Sequence, residues 1–291
     1  YTILSYTEMV HDGYHNVEGG MYRIVDGLLR EAEKAGIKIN YNVTINGFDG
    51  SGRRNRAFID TDGRRWEGDI FVINADAAMF RGRVFRRPAF TDEKLDRMQW
   101  TLAPLTIYLG VKGKMENIHH HNYFLGDRDY EPYSKGIFRN KVSLDKPYYY
   151  VNANAIFNPQ SAPPGCENLF ILVPVPDLRF KPDWSDRERI ADAVIKDLSA
   201  RTGHNVEANL MTRVVLDPVD WQNMFGLYRG SGLGLGHKMT QVGGFRPSNR
   251  DEMFSNVWYT GASTVPGTGL PMVIISSKLT VQRIDNEAGT L

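Results

Sequence analysis

The segment that says most about the fold joins a short apolar run to a longer one through a turn rich in small residues. It reads Gly261-Ala262-Ser263-Thr264-Val265-Pro266-Gly267-Thr268-Gly269-Leu270-Pro271-Met272-Val273. The preceding residues 257–259 predict a strand, and the residues after Pro271 predict a helix. Glycine lets main chain approach a large ligand, and the free N–H groups of a helix start favour negative charge. The segment therefore predicts a strand, turn and helix that either bind a cofactor or form an ordinary connection.

Residues upstream of this segment predict further α/β elements. An apolar stripe with helical spacing lies between Gly20 and Gly36 and consists of Met21, Ile24, Val25, Leu28, Leu29 and Ala32. The next stretch, 37–45, alternates apolar and polar residues and predicts a strand with one covered face. Residues 58–66 predict a hairpin around Asp62-Gly63, and the apolar run 70–73 predicts a strand buried on both faces. A strand of that kind belongs to a layered sheet.

Residues 81–225 have a different pattern. A short helix is predicted after Thr91, and strand-like runs follow at 105–111, 122–125, 148–152, 169–173 and 211–216. Consecutive strands with few helices between them favour an antiparallel sheet. One helix interrupts the strands: Ser185 and Glu188 predict a capping box, the apolar stripe within 190–198 predicts its buried face, and Gly203 predicts its end.

Composition limits the class of protein. Of the 291 residues, 42% are hydrophobic, which excludes a disordered or fibrous chain. The net charge of +1 provides no general attraction for nucleic acid, so we expect no nucleic-acid partner. The single cysteine, Cys166, excludes an intramolecular disulfide framework and fits a cytoplasmic setting. No run approaches the ~18 apolar residues that span a bilayer. The chain begins with Tyr1 rather than Met, and we expect it to be a piece of a longer protein.

Several blocks together resemble a known family. They occur in the family's order at 19–21, 71–76, 163–169, 234–241, 245–250, 257–264 and 266–273, and so cover most of the chain. The sequence resembles bacterial-type phytoene desaturases, which are FAD-dependent carotenoid dehydrogenases. The resemblance implies a mixed α/β and α+β fold. In this fold a glutathione-reductase-like FAD/NAD(P)-binding domain carries an inserted substrate domain built on an antiparallel sheet.

The resemblance also implies where the cofactor would lie. The residues implied beside the ribityl and pyrophosphate groups are Gly261, Ala262 and Ser263, and those implied at the flavin ring are Gly269, Leu270, Pro271, Met272 and Val273. Gly267 belongs to the same turn, and Val43 is implied as a main-chain contact on the adenine side. His237 is a candidate for a substrate-side catalytic role, with a packing role as the alternative; no other catalytic residue is identified. Val265 stands where the family usually has His, which leaves the exact reaction open.

One feature of the family is missing from this sequence. Such proteins begin with a strand and a G-x-G-x-x-G turn that holds the pyrophosphate. Gly230, Gly232, Gly234 and Gly236 do not have that spacing. We therefore expect the chain to be a C-terminal part of a longer enzyme with an incomplete FAD domain. Residues 15–80 and 226–291 would form parts of that domain, and residues 81–225 would form the substrate domain.

The function that follows from the resemblance is hydride transfer from phytoene or a related long isoprenoid to FAD. Quinone or oxygen would reoxidise the flavin, and the enzyme would sit as a peripheral protein on a membrane surface that holds its substrate. Two alternatives from the same chemistry are a carotenoid isomerase or oxygenase and a flavin amine oxidase. An alternative from another class is a non-catalytic isoprenoid-binding module.

Other candidate features are weaker. Residues 119–121 are three histidines, but no carboxylate or cysteine pattern follows, so we expect a solvated loop and no metal site. The basic run Arg81, Arg83, Arg86 and Arg87 predicts a solvated face or a contact with anionic lipid. The aromatic residues 148–150, Phe170 and Phe180 would suit an apolar tunnel or an ordinary core.

Overall fold

The computed structural model describes residues 15–126, 130–139 and 142–288. Its helices are α1 (Tyr22–Lys34), α2 (Ala77–Arg83), α3 (Asp92–Asp96), α4 (Tyr130–Ile137), α5 (Arg187–Thr202), α6 (Pro218–Phe225) and α7 (Leu270–Ala288). Its strands are β1 (Ile45–Ser51), β2 (Arg54–Asp60), β3 (Arg65–Glu67), β4 (Phe71–Ile73), β5 (Ala103–Lys112), β6 (His121–Phe124), β7 (Tyr149–Ala153), β8 (Cys166–Val175), β9 (Leu210–Leu216) and β10 (Val257–Tyr259). The strands form sheets in the orders β1-β2-β3, β10-β4 and β6-β7-β8-β5-β9. This mixture confirms the predicted α/β and α+β class.

The five-stranded sheet contains every strand predicted between residues 105 and 216, and its pairs are antiparallel. Alternate residues of its strands point to one face, as the two-residue period requires. On that face Leu105, Ile107 and Ile171 are fully buried in one core with Ile190 and Leu198 of α5. The helix ends, as predicted, at Gly203, which has φ +72°. This half of the protein completes its own hydrophobic core.

The capping box predicted at the start of α5 is wrong. The helix begins at Arg187 after Asp186, whose side chain makes no capping hydrogen bond. Ser185 instead donates through both its backbone N–H and its hydroxyl to the carboxylate of Asp183, at 3.0 and 2.9 Å. A carboxylate two residues away thus takes the backbone N–H that the Glu188 side chain would accept from in a capping box.

The β2–β3 hairpin forms where it was predicted, with Gly63 at φ +78° in the turn. The carboxylate of Asp60 accepts hydrogen bonds from the backbone N–H groups of Asp62 and Arg64. It also accepts from the indole N–H of Trp66, which is the largest of the causes that lower the pKa of Asp60. The hairpin is therefore held by one carboxylate as well as by the glycine.

The short strand β4 pairs in parallel with β10. One of these apolar runs comes before the five-stranded sheet in sequence and the other after it, and the fold brings them together. Ile73 is buried, whereas Val72 is 51% exposed. The prediction of burial on both faces is therefore wrong. Among the described residues the parallel sheet has two strands, and on the face that Val72 shares with its partner Trp258 only Trp258 is buried.

Two predictions for the first 45 residues also need correction. Helix α1 forms, but none of its residues is buried, and Leu28 is 67% exposed. The alternating stretch 37–45 is not a strand: β1 begins only at Ile45, and no strand in the described part of the chain pairs with residues 37–44. Alternation predicts a half-buried strand only where a neighbouring strand supplies hydrogen-bond partners.

Candidate functional site

The glycine turn, residues 260–269, connects β10 to α7. Three of its glycines have positive φ angles that other residues adopt at a cost: Gly261 at +101°, Gly267 at +147° and Gly269 at +112°. The peptide bond between Val265 and Pro266 is cis. The turn therefore depends on glycine conformation at several points, as the sequence pattern predicts for a close main-chain path.

Two buried side chains fasten the turn to its neighbours. Ser276 of α7 accepts a hydrogen bond from the N–H of Gly261 at 3.2 Å and donates to the carbonyl of Val265 at 2.8 Å. The amide of Asn249 donates to the carbonyls of Tyr259 and Val265, both at 3.1 Å. Strand, turn and helix are thereby held as one unit by polar contacts.

Arg246 is a buried anchor that the residue patterns did not single out. Its side chain is almost fully buried and donates hydrogen bonds to five main-chain carbonyls. The acceptors are the carbonyls of Leu235, Gly236, Gln241, Ala262 and Thr264. Arg246 thus ties the glycine-rich segment 234–241 to the glycine turn. The only signal for it in the sequence is its place in the block 245–250.

The end of β4 is joined to the turn through a buried carboxyl. The hydroxyl of Ser263 donates to Asp76 at 3.0 Å, and Asp76 also caps α2 by accepting from the N–H of Met79. Burial raises the pKa of Asp76, and these hydrogen bonds partly oppose that shift. Close packing extends to the glycines here, because a Cβ on Gly261 would lie 2.7 Å from the amide oxygen of Asn74. Gly261 and Ser263 thus have structural reasons for their identity.

His237 lies beneath the turn. Its Nε2 accepts a hydrogen bond from the N–H of Thr268 at 3.3 Å, and a Cβ on Gly267 would approach that atom to 2.6 Å. Desolvation lowers the pKa of His237, with a smaller contribution from Arg246, so the neutral acceptor form is favoured. These contacts describe a residue that positions the turn.

The predicted cofactor residues differ in their exposure. Gly261, Ser263 and Gly267 are buried, whereas Ala262, Met272 and Val273 are half-buried. The stretch from Gly269 to Pro271 is exposed. A Cβ on Gly269 would meet only the side chain of Met272, at 3.9 Å, so space is open beside this glycine. Val43 is not brought to the turn: it lines a separate depression of about 390 Å³ beside Phe71.

A larger cavity lies over the five-stranded sheet, on the face opposite the core. Its volume is about 760 Å³, and its lining includes Tyr108, Tyr150, Phe170 and Val214. Of the aromatic residues proposed for a tunnel, Tyr150 and Phe170 therefore line a cavity. Tyr148 and Tyr149 are buried in cores, and the ring of Phe180 lies beside the Arg179 guanidinium.

The basic run is not one solvated face. Arg81 is fully buried, pairs with Glu252 at 2.9 Å, and has its guanidinium carbon 3.6 Å from the ring centre of Tyr259. Arg87 pairs with Asp251 at 2.7 Å. Only Arg83 and Arg86 of this run are exposed. Arg81 and Arg83 are two residues apart on α2 and so point to different sides of the helix, whereas Arg86 and Arg87 follow its end.

Neither a metal-binding cluster nor a membrane-spanning helix is found within residues 15–126, 130–139 and 142–288. No group of three or more His, Cys, Asp or Glu side chains there is placed to hold a metal ion. No helix in these ranges has the length and apolar character needed to cross a membrane.

Sequence comparison with curated proteins decides the family. Over 286 residues the chain is 34% identical to a zeta-carotene-forming phytoene desaturase from Myxococcus xanthus, covering 98% of this chain and 55% of that protein. The chain belongs to the phytoene desaturase family. It is also 29% identical to a 4,4'-diapophytoene desaturase (4,4'-diaponeurosporene-forming) from Staphylococcus haemolyticus over 299 residues, covering 97% of this chain and 58% of that protein. The chain spans about half the length of the curated relatives it matches. No protein-family model matches it.

A solved structure shows the same fold. An oxidoreductase from Methanosarcina mazei superposes with a TM-score of 0.56 at 15% identity, covering 91% of this chain and 55% of that one. The superposition leaves out only about a tenth of this chain.

Proposed function

We propose that this chain supplies the flavin-side turn and the substrate-facing sheet of an FAD-dependent oxidoreductase that desaturates a carotenoid precursor, phytoene or a related long isoprenoid. The observation that carries the proposal is the exposed main chain at Gly269, which has open space beside it at the start of α7. Two relatives that share nearly the whole length of the chain are named as desaturases of this substrate class.

The residues present fit a flavin at this turn. Main chain without side chains is exposed at Gly269, and the first-turn N–H groups of α7 favour negative charge near Leu270 and Met272. Gly261, Ser263 and Gly267 lie on the buried side of the turn, where they let it pack on Asn74, Asp76 and His237. When bound, FAD would supply the acceptor for a hydride from the isoprenoid. The chain's own part is to hold the turn rigidly, through Arg246 and the α7 contacts.

The domain arrangement is part of the same proposal. Residues 15–80 and 226–291 contribute to the FAD domain, because β4 and β10 pair in parallel across the intervening 183 residues. Residues 81–225 form the substrate domain on the five-stranded sheet. We assign the remaining catalytic groups, and the reoxidation of the flavin by quinone or oxygen, to the whole enzyme rather than to this chain alone.

The alternatives are less well supported. An isomerase or oxygenase of the same family would share this turn, but both relatives described above are named as desaturases. An amine oxidase is disfavoured because Ser263, where those enzymes commonly have an acidic residue, points its hydroxyl at Asp76. A purely isoprenoid-binding module would not require the strained glycine conformations of the turn.

The test is flavin retention in the full-length protein that contains this chain. We expect Gly269→Val to abolish FAD retention and isoprenoid-dependent flavin reduction, because a side chain would occupy the open space and strain a backbone with φ +112°. The dihedral strain alone costs about 1–2 kcal/mol. Flavin absorbance after gel filtration measures retention, and anaerobic bleaching on adding phytoene measures reduction.

The matched control is Gly244→Ala. Gly244 has no positive φ, and a Cβ at this position would have nothing within 4 Å, whereas Gly165, another candidate control, has φ +74° and would itself be strained. Normal retention and reduction in Gly269→Val would show that the turn does not contact the flavin.

Peripheral membrane attachment at a cytoplasmic surface is a second element of the proposal. An apolar substrate is collected from a bilayer, and the described surface exposes Met239 and Phe245 to 80% and 77%. Arg83 and Arg86 supply exposed positive charge. Because a basic residue near an anionic surface contributes about 1 kcal/mol, reversing both charges should weaken flotation with anionic liposomes roughly tenfold or more.

The flotation test therefore uses Arg83→Glu with Arg86→Glu. The control reverses two exposed arginines elsewhere, Arg30→Glu with Arg53→Glu, and keeps the same net charge. Equal flotation of the two double variants would mean that the basic run has no specific membrane role.

A further inference from the structure

One face of the five-stranded sheet carries a row of aromatic rings, one from each of four neighbouring strands. This aromatic row consists of Tyr123 (β6), Tyr150 (β7), Phe170 (β8) and Tyr108 (β5). The successive ring centres are 5.2, 6.3 and 5.3 Å apart. Val214 of β9 lies directly opposite Tyr108 and extends the apolar path to the last strand.

The core does not need these rings. The opposite face of the same strands packs a complete core with α5, whereas Tyr123 and Tyr108 remain 75% and 38% exposed. Cross-strand aromatic pairs do stabilise a sheet, by up to about 1 kcal/mol each. That contribution does not account for an open cavity of about 760 Å³ lined by Tyr108, Tyr150 and Phe170.

The lining indicates an uncharged occupant. Glu167 is the one charged residue among the described residues that line the cavity. It pairs with Lys114 at 3.0 Å, and its register opposite Val111 places it on the core face of the sheet. Desolvation raises the pKa of Tyr150, which keeps its phenol neutral. Among the described residues that line the cavity, no Lys, Arg or Asp lies along the aromatic row, so a charged ligand would lack an ion-pair partner of those types there.

The spacing of the row points to the form of that occupant. Neighbouring strands are about 4.8 Å apart, which is close to the advance of one extended five-carbon isoprene unit. We propose that an extended isoprenoid chain lies across the strands along the aromatic row, with about one isoprene unit on each ring. This inference rests on the proposed function and assigns the surface that recognises the substrate.

His121 acts as a positioning residue for the row. Its Nδ1 shares a hydrogen bond of 2.6 Å with the hydroxyl of Tyr150, and the two rings are nearly parallel at an interplanar angle of 23°. The hydrogen bond anchors the hydroxyl end of Tyr150, and the neighbouring rings of His121, Tyr123 and Phe170 orient its plane. The ring therefore presents a defined flat surface to the cavity.

The test is retention of squalene, delivered to the purified chain from neutral phosphatidylcholine vesicles and quantified after the vesicles are removed. We expect Tyr150→Leu with Phe170→Leu to lower retention about tenfold, because two adjacent ring contacts are lost while apolar bulk is kept. Tyr150→Phe keeps the ring and should stay within about twofold of wild type. Thermal melting of each variant shows that the sheet remains folded.

The control is Tyr41→Leu, since Tyr41 is 72% exposed and does not line the cavity. Squalene retention that is absent in the wild-type chain, or unchanged in the double leucine variant, would overturn the proposal that the aromatic row binds the isoprenoid. This holds even if the full-length protein desaturates phytoene. Retention that depends on the row, in a full-length protein whose flavin is never reduced by phytoene, would instead overturn the proposed function alone.

Discussion

The five-stranded sheet and the β4–β10 unit, in which helix α7 follows β10, differ in how completely they bury their apolar residues. The sheet buries Ile107, Ile171 and their neighbours completely against α5. By contrast α7, which follows β10, buries Ser276 and Thr280 and exposes Ile274 to 57%. The difference reflects topology, because antiparallel strands find partners along the same stretch of chain, whereas a parallel pair needs elements distant in sequence. The sheet thus has a complete core of its own. The β4–β10 unit buries Val257 and Tyr259 in a smaller core, leaves apolar residues of α7 exposed, and is joined to that helix by hydrogen bonds such as the one from Thr280 to the carbonyl of Tyr259.

The largest predicted effect lies in the sheet. Ile171→Ala removes a fully buried side chain from the shared core and should lower the free energy of unfolding by about 3–4 kcal/mol. Leu28→Ala on α1 removes a side chain that is 67% exposed, and it should change the free energy of unfolding by less than about 0.5 kcal/mol. Denaturant unfolding of the purified chain measures both. Comparable losses would mean that α1 packs against other residues in solution.

An intermediate effect is expected at the joint between α2 and the β4–β10 unit. Arg81→Met removes a buried ion pair with Glu252 and the contact with the Tyr259 ring. We expect a loss of about 2–3 kcal/mol, less than for a wholly buried pair because Glu252 stays half exposed. Arg83→Met, two residues away on the same helix but exposed, serves as the control. Thermal melting of the two variants compares them, and equal stability would show that Arg81 does not support the joint between α2 and the β4–β10 unit.

The smallest predicted effect is a pH dependence of the glycine turn. The pKa of His237 is lowered in the folded protein, by desolvation first and by Arg246 second. The unfolded chain therefore takes up the proton at higher pH than the folded one. Stability is favoured above the ordinary His pKa of about 6.5 and falls as the pH drops below it.

His237→Gln keeps an acceptor for the Thr268 N–H but does not titrate. We expect its melting temperature to vary less than that of wild type between about pH 7.5 and 5.5, around the ordinary His pKa. Identical pH profiles would show that His237 does not couple protonation to the turn.

Local pattern was enough to predict much of this protein. The strands between residues 105 and 216, the hairpin at Gly63 and the end of α5 at Gly203 all occur where periodicity and glycine placed them. The family also followed from short blocks such as 257–264, and the comparison with curated relatives confirms it. These features depend on residues close in sequence, whose spacing directly reflects the geometry of a helix, strand or turn.

The tertiary structure alone decided which partners those elements have. Periodicity shows that α1 and residues 37–45 each have an apolar face, but it does not show whether anything covers that face. The sequence alone predicts Arg81 to be a surface charge, but in the fold it contacts Glu252 and Tyr259, which are distant in sequence. The aromatic row likewise exists only because the strand order is β6-β7-β8-β5-β9, which brings Tyr108 beside Phe170. Pairing across long sequence distances is set by the combined packing of the whole chain, and no local pattern encodes it.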